Sequence, residues 1–523
     1  MKLATIDIGV FIAYILVVMG IGLVAAMKSR GGSKRDYFLA GDKLPWWMIG
    51  GSIVAANISS HHLIGVIGTA YSTGFVAMVI EWGAVLIGFN ALLWIFLPFY
   101  LRNGFYTMPE FLQKRFGSAA RTTYASLIMV IYVFVEVAAV LYFGAVAVNT
   151  LFPNVNVHYC ILLVAVATAV YTLTGGLRAV VWTEMLQLCV LLGGGILLSW
   201  FTLKAVGGWG WVVENQKHWD VILPANDPSF PWTMYLGGIT CISIFYGAAN
   251  QFIVQRTLAA KDEWHARMGI VFADYLKFLM PLIIVIPGLA AKSLFPNIKS
   301  PDATFPTLVE NLLPPGIVGL VMAGLVAAIM GHLSGAVNSC TTIATIDFYL
   351  PYINPKATDQ QSVRFGKTAG AVIFVLGILL ANILIQHKDR PVFLILLDAY
   401  GYVAPGITTM FLLGILWRRA THAGALCGGA ATIPLSFLLK ALLPGLSFFN
   451  RTGIVFWSCM AIGIGISLIT TPKPDSELEG LIWNKESLRL PPDYKKRITI
   501  WNSPFTYWAI VTAAILFFYF RYY

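Results

Sequence analysis

The chain has 523 residues, of which 58% are hydrophobic and 11% charged. A soluble domain carries roughly a quarter charged residues, so the composition excludes an ordinary water-soluble globule and indicates a polytopic membrane protein. The formal charge of +11 reports membrane topology, because no basic-aromatic platform or recognition helix for nucleic acid accompanies it.

Apolar stretches at 5–27, 46–71, 74–101, 121–150, 157–173, 178–205, 236–256, 265–296, 316–349, 363–387, 391–416, 421–444, 452–471 and 505–521 predict an all-α integral membrane fold. That is about 14 transmembrane helices, most near the ~20 residues needed to span a bilayer. The first stretch is long, precedes a basic loop and lacks a small-residue cleavage site, so it reads as a retained helix rather than a signal peptide. With the N-terminus outside, the inside loops hold Lys28, Arg30, Lys34, Arg35 and Lys43, then Arg102, Lys114, Arg115 and Arg121. Later inside loops hold Arg256, Lys261, Arg267, Lys356, Arg364, Lys367, Arg418, Arg419 and the run Lys495, Lys496, Arg497. This positive-inside bias predicts a multi-pass protein of the plasma membrane with both termini outside. Six cysteines fall singly in or beside apolar stretches, without metal spacing or a disulfide framework. The polar segment 472–502 is too short and proline-rich for a catalytic module.

A polar interruption, Asn57-Ile58-Ser59-Ser60-His61-His62, breaks the stretch 46–71. Such residues are tolerated at membrane depth only where they face protein or a wet cavity. A broken helix with ionisable groups at the break points to a transporter's binding site; the plainer alternative is local back-bonding within a bundle. Glu81 lies in the next stretch. The other ionisable residues at depth are Glu136, Glu184, Asp274, Lys277, His332, Asp347 and Asp398. Glu136 and Asp347 read as satisfied bundle contacts. Asp274 and Lys277 lie three apart, so a local ion pair competes with a ligand role for Lys277.

The stretches 33–57 (SKRDYFLAGDKLPWWMIGGSIVAAN), 175–183 (GGLRAVVWT), 250–261 (NQFIVQRTLAAK), 338–349 and 411–425 (FLLGILWRRATHAGA) resemble, in order, the solute:sodium symporter family, within it the sugar-transporting sodium–glucose cotransporter branch. The resemblance implies a LeuT-like inverted five-plus-five helix repeat, with one helix before it and three after. It divides the chain into an extra helix and basic loop (1–45), repeat one (46–206), repeat two (236–418) and three peripheral helices (419–523). The break at Asn57–His62 then lies in the first helix of repeat one. Its counterpart lies near 243–251, with Gly237, Gly238 and Gly247 expected to interrupt it.

Carried over residue by residue, the resemblance assigns Asn57, His62, Glu81 and Lys277 to sugar hydroxyls, which need both donors and acceptors. Tyr246 matches the aromatic inner gate, Ile80 and Phe393 match outer-gate positions, and Ser243 matches a polar site position. Two positions depart from the family pattern. Leu397 stands where the family has glutamine, with Asp398 after it, and Gly247 stands where it has tryptophan.

The implied cation site is Ala55, Ile58 and Ala328, but Gly331 and His332 replace the two hydroxyl residues that bind sodium. Ser334 is kept, with Gly335 beside it, and Glu184 stands for the family's aspartate. Sodium wants oxygen ligands, and imidazole does not suit it. Three roles stay open for His332: a packed neutral side chain in an uncoupled carrier, a titrating group giving proton coupling with Glu184 as partner, or a neighbour of a displaced sodium site.

These features predict a secondary transporter moving a sugar or sugar-like solute by alternating access. The expected partners are that solute and the lipid bilayer, with sodium or a proton as coupling ion, no cofactor, no nucleic acid and no obligate protein partner. A carboxylate or amino-acid carrier is the rival within transport; a solute sensor is the rival outside it. Neither an enzyme's nucleophile motif nor a cofactor fingerprint is present.

Overall fold

The computed structural model describes residues 4–27, 33–58, 61–151, 154–215, 219–386, 392–491, 494 and 498–522. Its helices arise from apolar runs that must satisfy every backbone amide internally once water is absent. Among the described residues there is no β-strand, only two isolated bridges. Eleven helices among the described residues are long and apolar enough to cross a membrane, twelve if the pair Trp46–Asn57 and His62–Thr73 is one span bent by 66°. The exact count of about 14 is not confirmed by this criterion. The expected spans 157–173 and 178–205 are two helices within Val157–Ala205 that meet at a non-helical residue, Gly176, and the expected span 236–256 is broken into short pieces.

The two helices of Val157–Ala205 join at Gly176, whose φ of +57° favours glycine. A Cβ there would also collide with the Tyr37 carbonyl oxygen. Val157–Ala205 packs closely against Ile317–Ile343, with Gly194 and Gly324 letting the backbones approach, as small residues do between membrane helices. Ile317–Ile343 is buried almost throughout. Trp200, Phe437 and Leu16 are instead largely exposed, as lipid-facing side chains would be.

Two helices break where the site forms. Trp46–Asn57 ends with Ile58 extended (φ −80°, ψ 113°), and the chain resumes in a wide π-turn at His61–Val66. The second break lies in 238–258. Gly238–Ile244 runs into a π-turn at Phe245–Ala249, Asn250 is extended (φ −96°, ψ 121°), and the helix Gln251–Leu258 begins after it. As the sequence suggested, Gly237 (φ −168°, ψ −54°) separates Trp232–Leu236 from Gly238–Ile244 and Gly247 lies in the π-turn; a further break falls at Asn250, whose side chain accepts from the Phe252 amide. Gly247 also serves packing, since a Cβ there would meet the Gly88 backbone at 2.7 Å.

Candidate functional site

Asn57 is the last residue of its helix and is buried, with Oδ1 lacking a hydrogen-bond partner. Its amide lies beside the Tyr246 hydroxyl. One turn on, His62 Nε2 stands 3.1 Å from Glu81 Oε1, and Lys277 Nζ stands 2.5 Å from Glu81 Oε2. All three side chains are buried. Three separate elements thus converge on one carboxylate: the turn His61–Val66, the helix Val79–Gly83 and the helix Glu263–Ile283. The cluster offers imidazole and ammonium donors and carboxylate acceptors together.

The local pair between Asp274 and Lys277 does not form. Lys277 reaches across to Glu81, and neither Asp274 oxygen has a hydrogen-bond partner although the residue is fully buried. Spacing along one helix allowed the pair, but the carboxylate on the facing helix takes the amine.

Ser243 is buried on Gly238–Ile244, and its carbonyl lies against Gly88. Tyr246 sits in the π-turn, its ring 6.4 Å from Tyr400 and 6.5 Å from Phe252. Ile80 is half-buried beside Glu81. The side chains of His61, Phe393, Leu397 and Asp398 lie outside the described residues, as do Ser59 and Ser60.

Ala55, Ile58, Ala328, Gly331, His332 and Ser334 are all buried. The end of Trp46–Asn57 meets Ile317–Ile343 here: a Cβ on Gly331 would lie 3.1 Å from the Ala55 carbonyl oxygen and 2.9 Å from Gln187 Oε1. Gln187 thus fills room that a larger residue at 331 would need. His332 bridges two acceptors, with Nδ1 2.9 Å from the Ala56 carbonyl oxygen and Nε2 2.5 Å from Glu136 Oε2. Ser334 Oγ donates to the Gly331 carbonyl at 3.0 Å.

One expectation is corrected here. Glu184, expected as the proton partner of His332, is hydrogen-bonded by other groups: its Oε1 lies 2.5 Å from Arg256 Nη2, and Ser52 donates to its other oxygen. Glu136 is a satisfied contact between helices, as read from sequence, and its partner is the His332 imidazole. Glu184 is claimed by a guanidinium that makes several bonds at once, which leaves Glu136 as the acceptor aimed at the ring. Asp347 is a bundle contact as expected, 2.7 Å from Arg121 Nε.

A carbonyl oxygen only accepts, so the Ala56 contact calls for a donor at Nδ1, and Nε2 faces a carboxylate oxygen of Glu136 at 2.5 Å. Phe252 lies between His332 and Tyr246: its ring is 4.9 Å from the His332 ring, 6.5 Å from Tyr246 and 5.0 Å from the Arg256 guanidinium carbon. Sequence reasoning missed Glu136, Arg256, Gln187 and Phe252. The rarity of charge at membrane depth was the one signal that could have retained Glu136.

A multi-pass helical fold with two broken helices and ionisable groups at the breaks defines a membrane transporter of the LeuT-like class. A sequence description of the Sodium:solute symporter family matches residues 37–431, and the chain belongs to that family, whose members are transporters and not enzymes. It is 34% identical to a Sodium/glucose cotransporter of Vibrio parahaemolyticus, over 92% of this chain and 93% of the relative. It is 31% identical to a Sodium/myo-inositol cotransporter of Canis lupus familiaris, over 93% and 76%. Among solved structures it resembles a Na+-coupled sialic acid symporter in its substrate-bound outward-open state, with a TM-score of 0.79 at 21% identity, covering 90% of this chain and 99% of that one. It also resembles Mhp1, a nucleobase-cation-symport-1 family transporter, with a TM-score of 0.57 at 16% identity, covering 85% and 97%. At those identities the structures speak for the fold alone.

Proposed function

We propose that this transporter moves a sugar or polyol by alternating access, and that a proton held by His332 and Glu136 stands where relatives use sodium. The observation that carries the coupling half is the imidazole bridging the Ala56 carbonyl and Glu136. The residues around it do not suit sodium: the imidazole takes a carbonyl at the helix break, Gly331 brings no hydroxyl, and an alkali cation gains little from ring nitrogen. The room beside Gly335 is filled too, since a Cβ there would lie 2.6 Å from Arg256 Nη2.

The solute half rests on Asn57, His62, Glu81 and Lys277, with Ser243 and Asp398 as further candidates. Tyr246 is the inner gate, and Ile80 and Phe393 are the outer one. Relatives named for glucose and myo-inositol support a polyhydroxylated solute. Lys277 already satisfies Glu81, which disfavours a carboxylate cargo needing an uncommitted cation. In this reading 46–206 and 236–418 are the two inverted repeats, flanked by 1–45 and 419–523. The protein works in the plasma membrane with both termini outside.

A thermal-shift panel of purified protein against sugars, polyols, sialic acid and amino acids, each in sodium and potassium buffer, tests both halves, because ligands raise the stability of the state they bind. Stabilisation by a polyhydroxylated compound, equal in the two salts, is the expected result. A carboxylate or amino acid as the best ligand, or stabilisation confined to sodium, would count against the reading.

A further inference from the structure

At one end of the helical bundle, away from the solute pocket, is a cavity of about 1250 Å³. Its wall includes the aromatic side chains Trp94, Phe505 and Trp508, and three guanidinium groups, Arg102, Arg267 and Arg489, stand along it. The spans Phe75–Arg102, Glu263–Leu294 and Pro504–Arg521 each have one end here, so it lies at the level of lipid headgroups. Exposed aromatics mark the same level, with Trp501 83% and Phe505 60% exposed, as in the belts found at membrane interfaces. The lysine and arginine loops assign this end to the cytoplasm.

The charges are unevenly satisfied. Glu263 holds Arg267 at 2.5 Å and Arg102 at 3.2 Å. Arg267 also donates to the Leu488 and Ser487 carbonyls, and its buried guanidinium lies over the Trp94 ring at 5.4 Å. Arg489 is exposed, its carbonyl accepting from Arg102 at 2.7 Å. Glu486 is the carboxylate on the wall. Three guanidinium groups against Glu263 and Glu486 leave one positive charge over. A free inorganic anion would use only a small part of this volume and none of the aromatic wall.

We propose that the cavity seats an anionic glycerophospholipid of that leaflet. Its phosphate lies toward the exposed guanidinium groups of Arg489 and Arg102, and its acyl chains run along Trp94, Phe505 and Trp508. Basic pockets between membrane helices recognise such headgroups. The lipid would hold together the two spans that carry Glu81 and Lys277, since Arg102 ends the first and Arg267 lies ten residues before Lys277 on the second.

The test uses full-length protein stripped of lipid in a neutral detergent. Melting is monitored with added phosphatidylglycerol, phosphatidylcholine or inorganic phosphate, for the wild type and for Arg489→Gln and Phe505→Ala. Phosphatidylglycerol should raise the melting temperature by several degrees, with the other two additives inert. Either substitution should remove at least half of that rise while leaving the lipid-free melting point in place. Native mass spectrometry should show phosphatidylglycerol retained by the wild type and lost from Arg489→Gln. An equal rise with phosphatidylcholine, an equal rise with phosphate alone, or full retention by Arg489→Gln overturns the proposal.

Discussion

His332 Nε2 and Glu136 Oε2 stand 2.5 Å apart, while the same imidazole holds the Ala56 carbonyl through Nδ1. One side chain of the Ile317–Ile343 helix therefore ties together two others: the broken helix Trp46–Asn57 and the turn Ile131–Val137. Under the proposed function, loss of a proton from this unit would leave two acceptors facing each other in a buried site and loosen the tie, which is how hydrogen bonds would take the place of metal ligands in coupling.

The pocket lysine is tested by its partner. Lys277→Ala leaves the Glu81 carboxylate buried without its ammonium partner, a change that costs roughly 3–5 kcal/mol for a broken buried pair. Adding Asp274→Asn should restore neither stability nor uptake, because Asp274 does not hold the amine. Adding Glu81→Gln should restore much of the stability but not uptake. Thermal melts and uptake assays read all four proteins; rescue by Asp274→Asn would contradict the assignment.

Recognition of hydroxyls predicts a graded loss. Glu81→Ala and His62→Ala each leave polar groups unpaired, at roughly 1–3 kcal/mol. Affinity for the transported solute should fall about tenfold or more, ~1.4 kcal/mol being a factor of ten. Calorimetric titration of the purified proteins measures it, and unchanged affinity in both variants would put the solute elsewhere.

Glu184 and Arg256 form a structural pair in this account. Glu184→Gln should therefore lower stability, since it strands a buried guanidinium, yet preserve the pH profile of whatever uptake remains. A profile displaced in Glu184→Gln and untouched in Glu136→Gln would reverse the roles of the two carboxylates.

Phe252 touches both the gate and the imidazole. Phe252→Leu keeps an apolar side chain of smaller size, so solute binding should survive within about threefold, less than about 1 kcal/mol. Transport against a gradient should be largely lost. Equal binding and equal accumulation in the variant would show that coupling bypasses the ring.

Much of this site is legible in the sequence because charge and amide groups are so costly at membrane depth. Asn57, His62, Glu81, Lys277 and His332 all stand out against an apolar background, and all come together at the two breaks or beside them. Pairing across long separations was not legible. Glu136 and His332 are 196 positions apart, and the sequence named only Glu184 as a proton partner, which in the fold is taken by Arg256. Lys277 had a carboxylate three residues away on its own helix, and only the facing helix reveals the better one. The part of Asn250 in the second break was not legible for a similar reason. Glycines mark flexibility and close approach alike, and Gly247 sits in the π-turn and against Gly88 at once, while Asn250 makes the further break and caps the helix Gln251–Leu258.

The proton itself is tested most directly by uptake of labelled D-glucose and myo-inositol into sodium-free proteoliposomes under an imposed inward proton gradient. The account predicts accumulation of at least one of them above the external level, abolished by a protonophore and absent in both His332→Ala and Glu136→Gln. Accumulation driven only by a sodium gradient, or uptake indifferent to both gradients, would contradict it.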